Sequence, residues 1–294
     1  MSALRLAPRW ARGPGLPCRR SARRLRLPAV DEVLAGELSI LYRDDALLIV
    51  NKPAGLVVHR GWATDRVTLL DLARDAIGAW VYPMHRLDRQ TSGALVFALS
   101  PEIAHVLEQA LSQGRVEKRY LALVRGMTPD SSRIDHPLAK EKGKTKLPSL
   151  TEVRRLAHFE VENDETGVSR RYSWLEARPL TGRPHQIRRH LKHISHPIVG
   201  DVRYGKAEHN RLFRRRFGLD RMVLHAARLA FEHPVDGRAL AVEAPLPAEL
   251  LNLLEALRSA PGGAAGGADE PAPAPTAAGH ARQHGRPELA GGSE

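Results

Sequence analysis

The segment MHRLDRQTSG, residues 84–93, contains the residues best suited to chemistry in this chain. Asp88 lies between Arg86 and Arg89 in the sequence and precedes a Thr-Ser-Gly turn. A guanidinium group beside a carboxylate lowers the carboxyl pKa and restricts the orientation of the carboxylate. An ionised carboxylate of fixed orientation is suited to act as a nucleophile or as an oriented base. The alternative interpretation is the end of a strand or helix with a surface ion pair.

A second candidate segment is TGRPHQIRRH, residues 181–190. Gly182 permits a turn, and Pro184 suits the first position of a helix. Arg188 and Arg189 then follow near the helix N-terminus, where cations oppose the helix dipole. This pattern predicts a nearby anion, either a carboxylate such as Asp88 or a phosphate.

Two shorter segments carry weaker signals. Residues 51–59, NKPAGLVVH, place proline and glycine directly after a strand, which alone is typical of a tight turn. Tyr120 begins a strand beside Lys118 and Arg119. A tyrosine there can stack on a base or transfer a proton, although plain packing in an amphipathic strand explains it equally well.

Several histidines within residues 185–196 form a candidate metal site. Cationic side chains lie among them and would repel a divalent cation, and no cysteine or regular pair at helical spacing completes a ligand set. We therefore expect no metal. The histidines are His185, His190, His193 and His196, and the cations among them are Arg188, Arg189 and Lys192.

Apolar periodicity predicts a mixture of strands and helices between residues 37 and 258. Hairpins mixed with isolated helices indicate an α+β fold rather than a regular parallel sheet. The predicted strands are 38–42, 46–51, 94–99, 118–125, 172–178, 223–229 and 239–242, and the predicted helices are 67–77, 101–111, 184–194 and 247–257.

The net charge of +12 and the pI near 10.4 favour a polyanionic partner. The first 30 residues carry +8 and residues 260–294 carry −2, so the remaining residues are themselves moderately basic. The only cysteine is Cys18, which excludes a disulfide within one chain and favours a cytoplasmic setting. No apolar run is long enough to cross a bilayer.

The two ends of the sequence differ in composition from the middle. Residues 1–36 are arginine-rich and interrupted by prolines, and residues 259–294 are rich in Gly, Ala and Pro. Neither segment can bury enough apolar surface to offset its ordering entropy, so we expect both to be disordered. The arm at 1–36 has three interpretations: an RNA-contacting arm, an organelle transit peptide, or translated sequence upstream of the true start. We favour a disordered arm or a start-site artefact.

Taken together, these segments resemble the RluA-type pseudouridine synthases over residues 38–245. The loop HRLD-x-x-TSG, the segment NKP-x-GLVVH, Lys118-x-Tyr120, TGR-x-HQIR and the later HPIVGD at 196–201 occur here in the order typical of that family. Finer features, including Arg60 after His59 and the runs at 200–206 and 224–226, are similar to the TruC subgroup, which modifies uridine 65 in the T stem of certain tRNAs.

The resemblance implies a single catalytic domain at 37–258, with a mixed, largely antiparallel bent sheet flanked by helices and loops. It implies a monomer with RNA as its partner, tRNA in preference to rRNA, and with neither metal nor organic cofactor. Asp88 is expected to be the nucleophile, which either releases uracil from its ribose or adds to the base. Arg188 is expected to pair with Asp88, and Tyr120 to stack on the base and assist proton removal at carbon 5.

The resemblance also implies how the substrate is held. Arg86 is expected to fill the gap left by the extruded nucleotide. The candidates for RNA-backbone contacts are Arg89, Arg183, His185, Arg189 and Lys192.

Three alternatives differ in substrate or in class. The first is the same chemistry on ribosomal RNA, since RNA shape is not readable from one protein sequence. The second is a catalytically idle RNA-binding or ribosome-assembly protein, against which stands the presence of Asp88, Tyr120 and Arg188. The third, a metal-dependent RNA hydrolase, lacks clustered carboxylates.

Deleting residues 1–36 should leave the fold intact, because nothing in that segment is suited to join a core. We expect the free energy of unfolding to change by less than about 0.5 kcal/mol, measured by urea denaturation followed by circular dichroism. A truncated protein that fails to fold would show that the domain begins earlier.

Overall fold

The computed structural model describes residues 38–60, 65–139 and 143–260. The predictions for the arm at 1–36, for Cys18 and for residues 261–294 of the tail therefore lie outside the described residues.

A mixed sheet of ten strands forms the centre of the described structure. The structure describes twelve strands, ten of them in this sheet: β1 (Ile40–Arg43), β2 (Leu47–Lys52), β3 (Tyr82–Pro83), β4 (Ser92–Ala98), β5 (Glu117–Arg125), β6 (Ser131–Asp135), β7 (Leu138–Ala139), β8 (Lys146–Leu147), β9 (Leu150–Asn163), β10 (Val168–Pro179), β11 (Leu224–Glu232) and β12 (Ala239–Glu243). Their order in the sheet is β1-β2-β4-β11-β5-β10-β9-β6, with β12 beside β11 and β3 beside β4, while β7 and β8 form a separate hairpin. Only β4 and β11 pair in parallel among the described strands, which confirms the predicted α+β fold with a largely antiparallel sheet.

Five helices flank the sheet in the described residues. They are α1 (Leu69–Ile77), α2 (Pro101–Ser112), α3 (Gln186–His193), α4 (Ala207–Phe217) and α5 (Ala248–Ser259). Of these helices, none has the length and apolar character needed to span a bilayer. Helix α5 continues to Ser259, the residue at which the disordered tail was predicted to begin, so that boundary was slightly too early.

Strand β4 is buried along its whole length because helices cover both of its faces. Ala94 and Val96 pack in the cluster that includes α2, whereas Leu95 and Phe97 pack in the cluster that includes α1. A strand covered on both faces needs apolar residues at every position rather than at alternate ones. This explains the continuous apolar run from which the strand was predicted.

The other half of the sheet is covered in the same way. Leu123 of β5 packs against α4 and α5, while Ala122 and Val124 face α3. Tyr120 also contacts the α3 side, so the face predicted for Tyr120, Ala122 and Val124 is confirmed. The start of α3 and the residues before β4 therefore lie on the same side of the sheet as Tyr120.

Two elements gave no usable signal in the sequence. Strand β9 runs for 14 residues, but charged residues interrupt its alternation of apolar and polar positions. Its pairing with β10 contains a register shift between Trp174 and Leu175. Helix α4 contains only a few buried apolar residues, and three of its four arginines form ion pairs with acidic residues outside the helix. Long-range pairing therefore stabilises both elements.

Burial of His225 makes the stability of the fold dependent on pH. The imidazole is fully buried, and burial lowers its pKa from 6.5 to about 4. Between these two values the unfolded chain therefore binds more protons than the native protein. The contribution of His225 to the free energy of unfolding is complete above pH 6.5 and is lost as the pH falls towards 4. The loss attributable to this residue is at most about 3 kcal/mol.

Urea denaturation at pH 7, 5.5 and 4.5 measures this contribution. The variant His225→Gln should be less stable than wild type at pH 7 but should lose less stability on acidification. His105→Gln, which changes an exposed histidine of α2, should follow the wild-type pH dependence. Parallel pH profiles for wild type and His225→Gln would contradict the assignment.

Candidate active site

Asp88 lies in the loop that leads into β4. The backbone of this loop is fixed by several contacts: Thr91 N donates to Asp88 O at 3.0 Å, and Gly55 N donates to Arg89 O at 2.7 Å. Gly93 adopts φ 113°, and an added Cβ would collide with the carbonyl of Ala226 on β11. Only glycine allows the loop to approach β11 this closely.

The side chain of Asp88 is held by an arginine 100 residues away in the sequence. Nη1 of Arg188 donates to Oδ2 of Asp88 at 2.6 Å. Arg188 belongs to the first turn of α3, and its side chain is 10% exposed, against 24% for Asp88. The expected contact between these two residues is therefore present, and it leaves one edge of the carboxylate accessible.

The same guanidinium is shared with a second carboxylate. The carboxylate of Asp201 accepts hydrogen bonds from Nε of Arg188 at 2.7 Å and from Nη2 at 2.9 Å. The side chain of Asp201 is fully buried. Burial alone would raise the pKa of Asp201, but hydrogen bonds from Arg188 and from the backbone amides of Tyr204 and Arg203 hold it below its usual value. Burial likewise opposes the charge of Arg188, and the hydrogen bonds to Asp201 and Asp88 outweigh it and raise the pKa of Arg188.

His185 occupies the residue before α3 in a left-handed backbone conformation, with φ 53°. The prediction that Pro184 begins this helix was wrong, because the helix begins at Gln186. The left-handed turn brings Nε2 of His185 to 3.6 Å from Asp88 and Nδ1 to 3.0 Å from the hydroxyl of Tyr204. Burial lowers the pKa of His185, and the charge of Asp88 opposes that shift. A non-glycine residue in this conformation is strained, and such strain is typical of functional sites.

A cavity of about 670 Å³ opens beside Asp88. Pockets for small organic groups have volumes of roughly 300–1,000 Å³, so a nucleoside fits. Tyr120 and Leu224 line it together with Asp88. Burial and the nearby charge of Asp88 raise the pKa of Tyr120, so its phenol is protonated at neutral pH.

The arginine neighbours of Asp88 in the sequence do not hold its carboxylate. Arg89 turns away and forms a bidentate ion pair with Asp65, at 2.7 and 2.5 Å, and its Nη1 also approaches the Gly55 carbonyl. Arg86 is exposed and forms no ion pair with any described residue. The predicted clamp of Asp88 between Arg86 and Arg89 was therefore wrong, because adjacent residues in an irregular loop point in different directions.

The candidate RNA-binding residues divide into two groups. Arg86, Arg183 and His185 line the cavity beside Asp88. The others lie outside it: Arg89 lines a second cavity of about 530 Å³ that also includes Asp88, Arg189 donates to the Ala139 carbonyl at 2.8 Å, and Lys192 lies 5.8 Å from the ring centre of Tyr204.

Several residues that shape the site had no role predicted from the sequence. Asp201 and Tyr204 lie in the segments 196–201 and 200–206 whose resemblance was noted, but their contacts with Arg188 and His185 were not foreseen. Lys52 is fully buried and donates to the carbonyls of Pro53 and Leu56, both at 2.7 Å, and to that of Arg89 at 3.2 Å. A lysine directly after a buried strand was the available signal for this tie between the turn and the Asp88 loop.

Comparisons with known proteins agree on one family. A family model described as RNA pseudouridylate synthase matches residues 46–193. Proteins named tRNA pseudouridine synthase C from Vibrio cholerae and Haemophilus ducreyi are 43% and 42% identical, each match covering 71% of this chain and 91% of the relative. Among solved structures, human RNA pseudouridylate synthase domain containing 4 is 25% identical with a TM-score of 0.62, covering 79% of this chain and 98% of that one. Human RNA pseudouridylate synthase domain containing 1 is 29% identical with a TM-score of 0.57, covering 77% and 97%.

Replacing Asp201 should destabilise the protein, because the buried guanidinium of Arg188 would lose the carboxylate that bonds its Nε and Nη2. We expect Asp201→Asn to lower the free energy of unfolding by about 3 kcal/mol, measured by urea denaturation at pH 7. Asp164→Asn is the matched control, since Asp164 pairs with Arg216 on the surface and should contribute less than about 1 kcal/mol. Equal effects of the two substitutions would contradict a structural role for the shared guanidinium.

Proposed function

The chain belongs to the RNA pseudouridylate synthase family, and we propose that it converts a specific uridine of tRNA to pseudouridine. The observation that carries this proposal is the Asp88 carboxylate, held by Arg188 at 2.6 Å and facing a cavity that fits a nucleoside. The relatives named tRNA pseudouridine synthase C support tRNA as the substrate class.

The reaction exchanges one bond of the uracil for another. The bond from N1 to the ribose C1′ breaks, the base turns, and a bond forms from C5 to C1′. C5 loses a proton and N1 gains one, so atoms and electrons balance without an oxidant, a reductant or water. The protein must therefore supply a nucleophile, a path for a proton and a site that retains the detached base.

Asp88 is the proposed nucleophile, acting either on the ribose or on the base. Arg188 and Asp201 keep the carboxylate aimed at the cavity, since their shared guanidinium restrains one oxygen of Asp88. Aim matters because displacement of a reacting group by about 1 Å can cost a factor of about 100 in rate.

Tyr120 is proposed to contact the base and to assist removal of the proton from C5. Because the phenol is protonated, it can take the C5 proton only while its own hydroxyl proton passes to another acceptor. Tyr120 lies in the wall of the cavity, and Leu224 lines the same cavity. An aromatic ring and an aliphatic side chain suit the faces of a uracil, which has to turn between the two bonding steps.

The target base must leave the RNA stack, at a cost of about a few kcal/mol that contacts to the RNA offset. Arg86 is proposed to occupy the gap left by the flipped nucleotide, and its exposure without an ion pair among the described residues supports this. Arg89, Arg183, His185, Arg189 and Lys192 are proposed to contact the RNA backbone or the target nucleotide. Arg183 and His185, which line the cavity, have the most direct access.

The finer features of the proposal come from the resemblance to the TruC subgroup. We place the target at uridine 65 in the T stem and the enzyme in the cytoplasm as a monomer. We also propose that residues 37–259 form the catalytic unit and that catalysis requires neither residues 1–36 nor residues 261–294.

Asp88→Asn should abolish turnover while leaving affinity for tRNA within a few-fold. Loss of an enzymatic nucleophile costs on the order of 10⁴-fold or more in rate, whereas the carboxylate is not expected to contact phosphates. The measurement is pseudouridine formation on tRNA transcripts, with binding followed by filter retention. Asp236→Asn, on the turn between β11 and β12, is the matched control and should retain activity. Activity of Asp88→Asn near wild type would falsify the nucleophile assignment.

The substrate is identified by mapping pseudouridine in tRNA and rRNA from cells with and without the gene, using carbodiimide labelling and sequencing. We expect cells without the gene to lack one pseudouridine in the T stem of tRNA. A plasmid carrying the wild-type gene should restore that pseudouridine, and one carrying Asp88→Asn should not. Loss of an rRNA mark would keep the chemistry and change the substrate. An unchanged map would favour an idle RNA-binding protein.

A further inference from the structure

Arg221 is the largest fully buried side chain in the described part of the molecule. We propose that Arg221 is a positioning residue that sets the Asp88 loop against the Arg188–Asp201 pair. The inference rests on the proposed function, because it concerns the placement of the nucleophile. Arg221 lies just before β11 and does not line the cavity in which Tyr120 and Leu224 meet.

The guanidinium of Arg221 reaches directly into the Asp88 loop. Its Nη2 donates to the hydroxyl of Ser92 at 2.8 Å and to the carbonyl of Gln90 at 3.3 Å. Gln90 follows Asp88 by two residues, and Ser92 is the first, buried residue of β4. A guanidinium carries its donors in a rigid planar fork, so these contacts fix both the position and the orientation of the loop.

The guanidinium also donates to groups outside the Asp88 loop. Nη1 donates to Glu249 of α5 at 2.6 Å, while Nε donates to the Met222 carbonyl at 3.1 Å and Nη2 to the Leu224 carbonyl at 3.2 Å. The arginine side chain is 1% exposed and that of Glu249 is 35% exposed. The positive charge is therefore balanced at the edge of α5 rather than by Asp88.

The backbone of Arg221 supports the other half of the site. Gly200 has φ 81°, and an added Cβ at this residue would collide with the carbonyl of Arg221. Gly200 directly precedes Asp201, whose carboxylate holds Arg188. One residue thus touches the nucleophile loop through its side chain and the Asp201 loop through its main chain.

His225 completes the contact with the Asp88 loop. Its Nε2 lies 3.1 Å from the Ala244 carbonyl, and its Nδ1 lies 2.8 Å from Ser92 Oγ. A carbonyl only accepts hydrogen bonds, so Nε2 carries the proton of the neutral ring and Nδ1 accepts from the Ser92 hydroxyl. The oxygen of Ser92 is then oriented to accept a hydrogen bond from Arg221. The donors and acceptors therefore match along the chain from Arg221 through Ser92 and His225 to the Ala244 carbonyl.

An apolar side chain would fill this space without the cost of burying a charge. Replacing buried ion pairs with apolar residues is often neutral or stabilising, so stability alone does not require an arginine here. Two directed hydrogen bonds to the loop, from a guanidinium that Glu249 also holds, supply what apolar packing lacks, which is a fixed orientation. We therefore expect a loss of Arg221 to affect turnover more than substrate binding.

The test compares Arg221→Lys with wild type on tRNA, with kcat and KM measured separately. Lysine keeps the charge but has no planar fork, so it cannot bond Glu249, Ser92 and Gln90 in the same geometry. We expect kcat to fall by about ten- to a hundredfold and KM to change by less than about threefold. Arg155→Lys is the matched control, because Arg155 also bonds a carbonyl, of Thr128, and a carboxylate, of Asp130, but at the β9 edge away from the site.

Two further variants separate positioning from general stability. Ser92→Ala keeps Arg221 and removes the hydroxyl that both Arg221 and His225 contact, and we expect it to lower kcat even if Arg221→Lys does not fold. Arg221→Ala leaves a cavity the size of the missing group, and guanidinium ion at a concentration below the denaturing range should restore part of its kcat. Sodium chloride at the same ionic strength should not.

The outcomes are distinguishable from failure of the proposed function. Wild type without activity on any RNA would overturn that function and this inference together. Active wild type with unchanged kcat in Arg221→Lys and Ser92→Ala would overturn only the inference. A fall in melting temperature with unchanged kcat would assign Arg221 to stability alone, and it would also overturn the inference.

Discussion

The arrangement of the site depends on one guanidinium shared by two carboxylates. Arg188 bonds the buried Asp201 through two nitrogens and the accessible Asp88 through the third. The buried pair fixes the plane of the guanidinium, because Asp201 is itself held by backbone amides of the loop that follows it. Asp88 therefore meets a cation whose direction is already set. Without Asp201, Arg188 would be free to follow Asp88, and the carboxylate would lose its fixed aim.

The centre of the sheet brings these groups together. Strands β4 and β11 are parallel neighbours, so the loop that carries Asp88 and the segment that begins with Arg221 enter the sheet side by side. Because Gly93 and Gly200 have no side chains, the backbone of residues 221–226 packs directly against the backbone of the Asp88 loop and of the Asp201 loop. Helix α3 then packs on the face of β5 that carries Tyr120 and delivers Arg188 from the opposite direction. The site is thus assembled from segments that are distant in sequence and rigid in the core.

The basic character of the chain is distributed unevenly around this site. Three of the four arginines of α4 form ion pairs, with Asp220, Glu165 and Asp164, so much of the positive charge of this helix is neutralised. Arg86, in contrast, is exposed at the cavity without such a partner among the residues described. A site that binds RNA needs cations that are free to meet phosphates, so exposed arginines near Asp88 matter more than the total charge.

The sequence by itself determined the elements with strong local patterns and the candidate nucleophile. The continuous apolar run of β4 and the proline and periodicity of α2 led to correct predictions, and the motif at 84–93 singled out Asp88. Strand β9 and helix α4 escaped prediction because distant partners stabilise them. Only the tertiary structure decided which charges meet: Arg89 pairs with Asp65, whereas Arg188, Asp201 and Arg221 surround the Asp88 loop. The physical reason is that the direction of a side chain in a loop, and the partner that satisfies a buried charge, are set by packing among segments far apart in the chain.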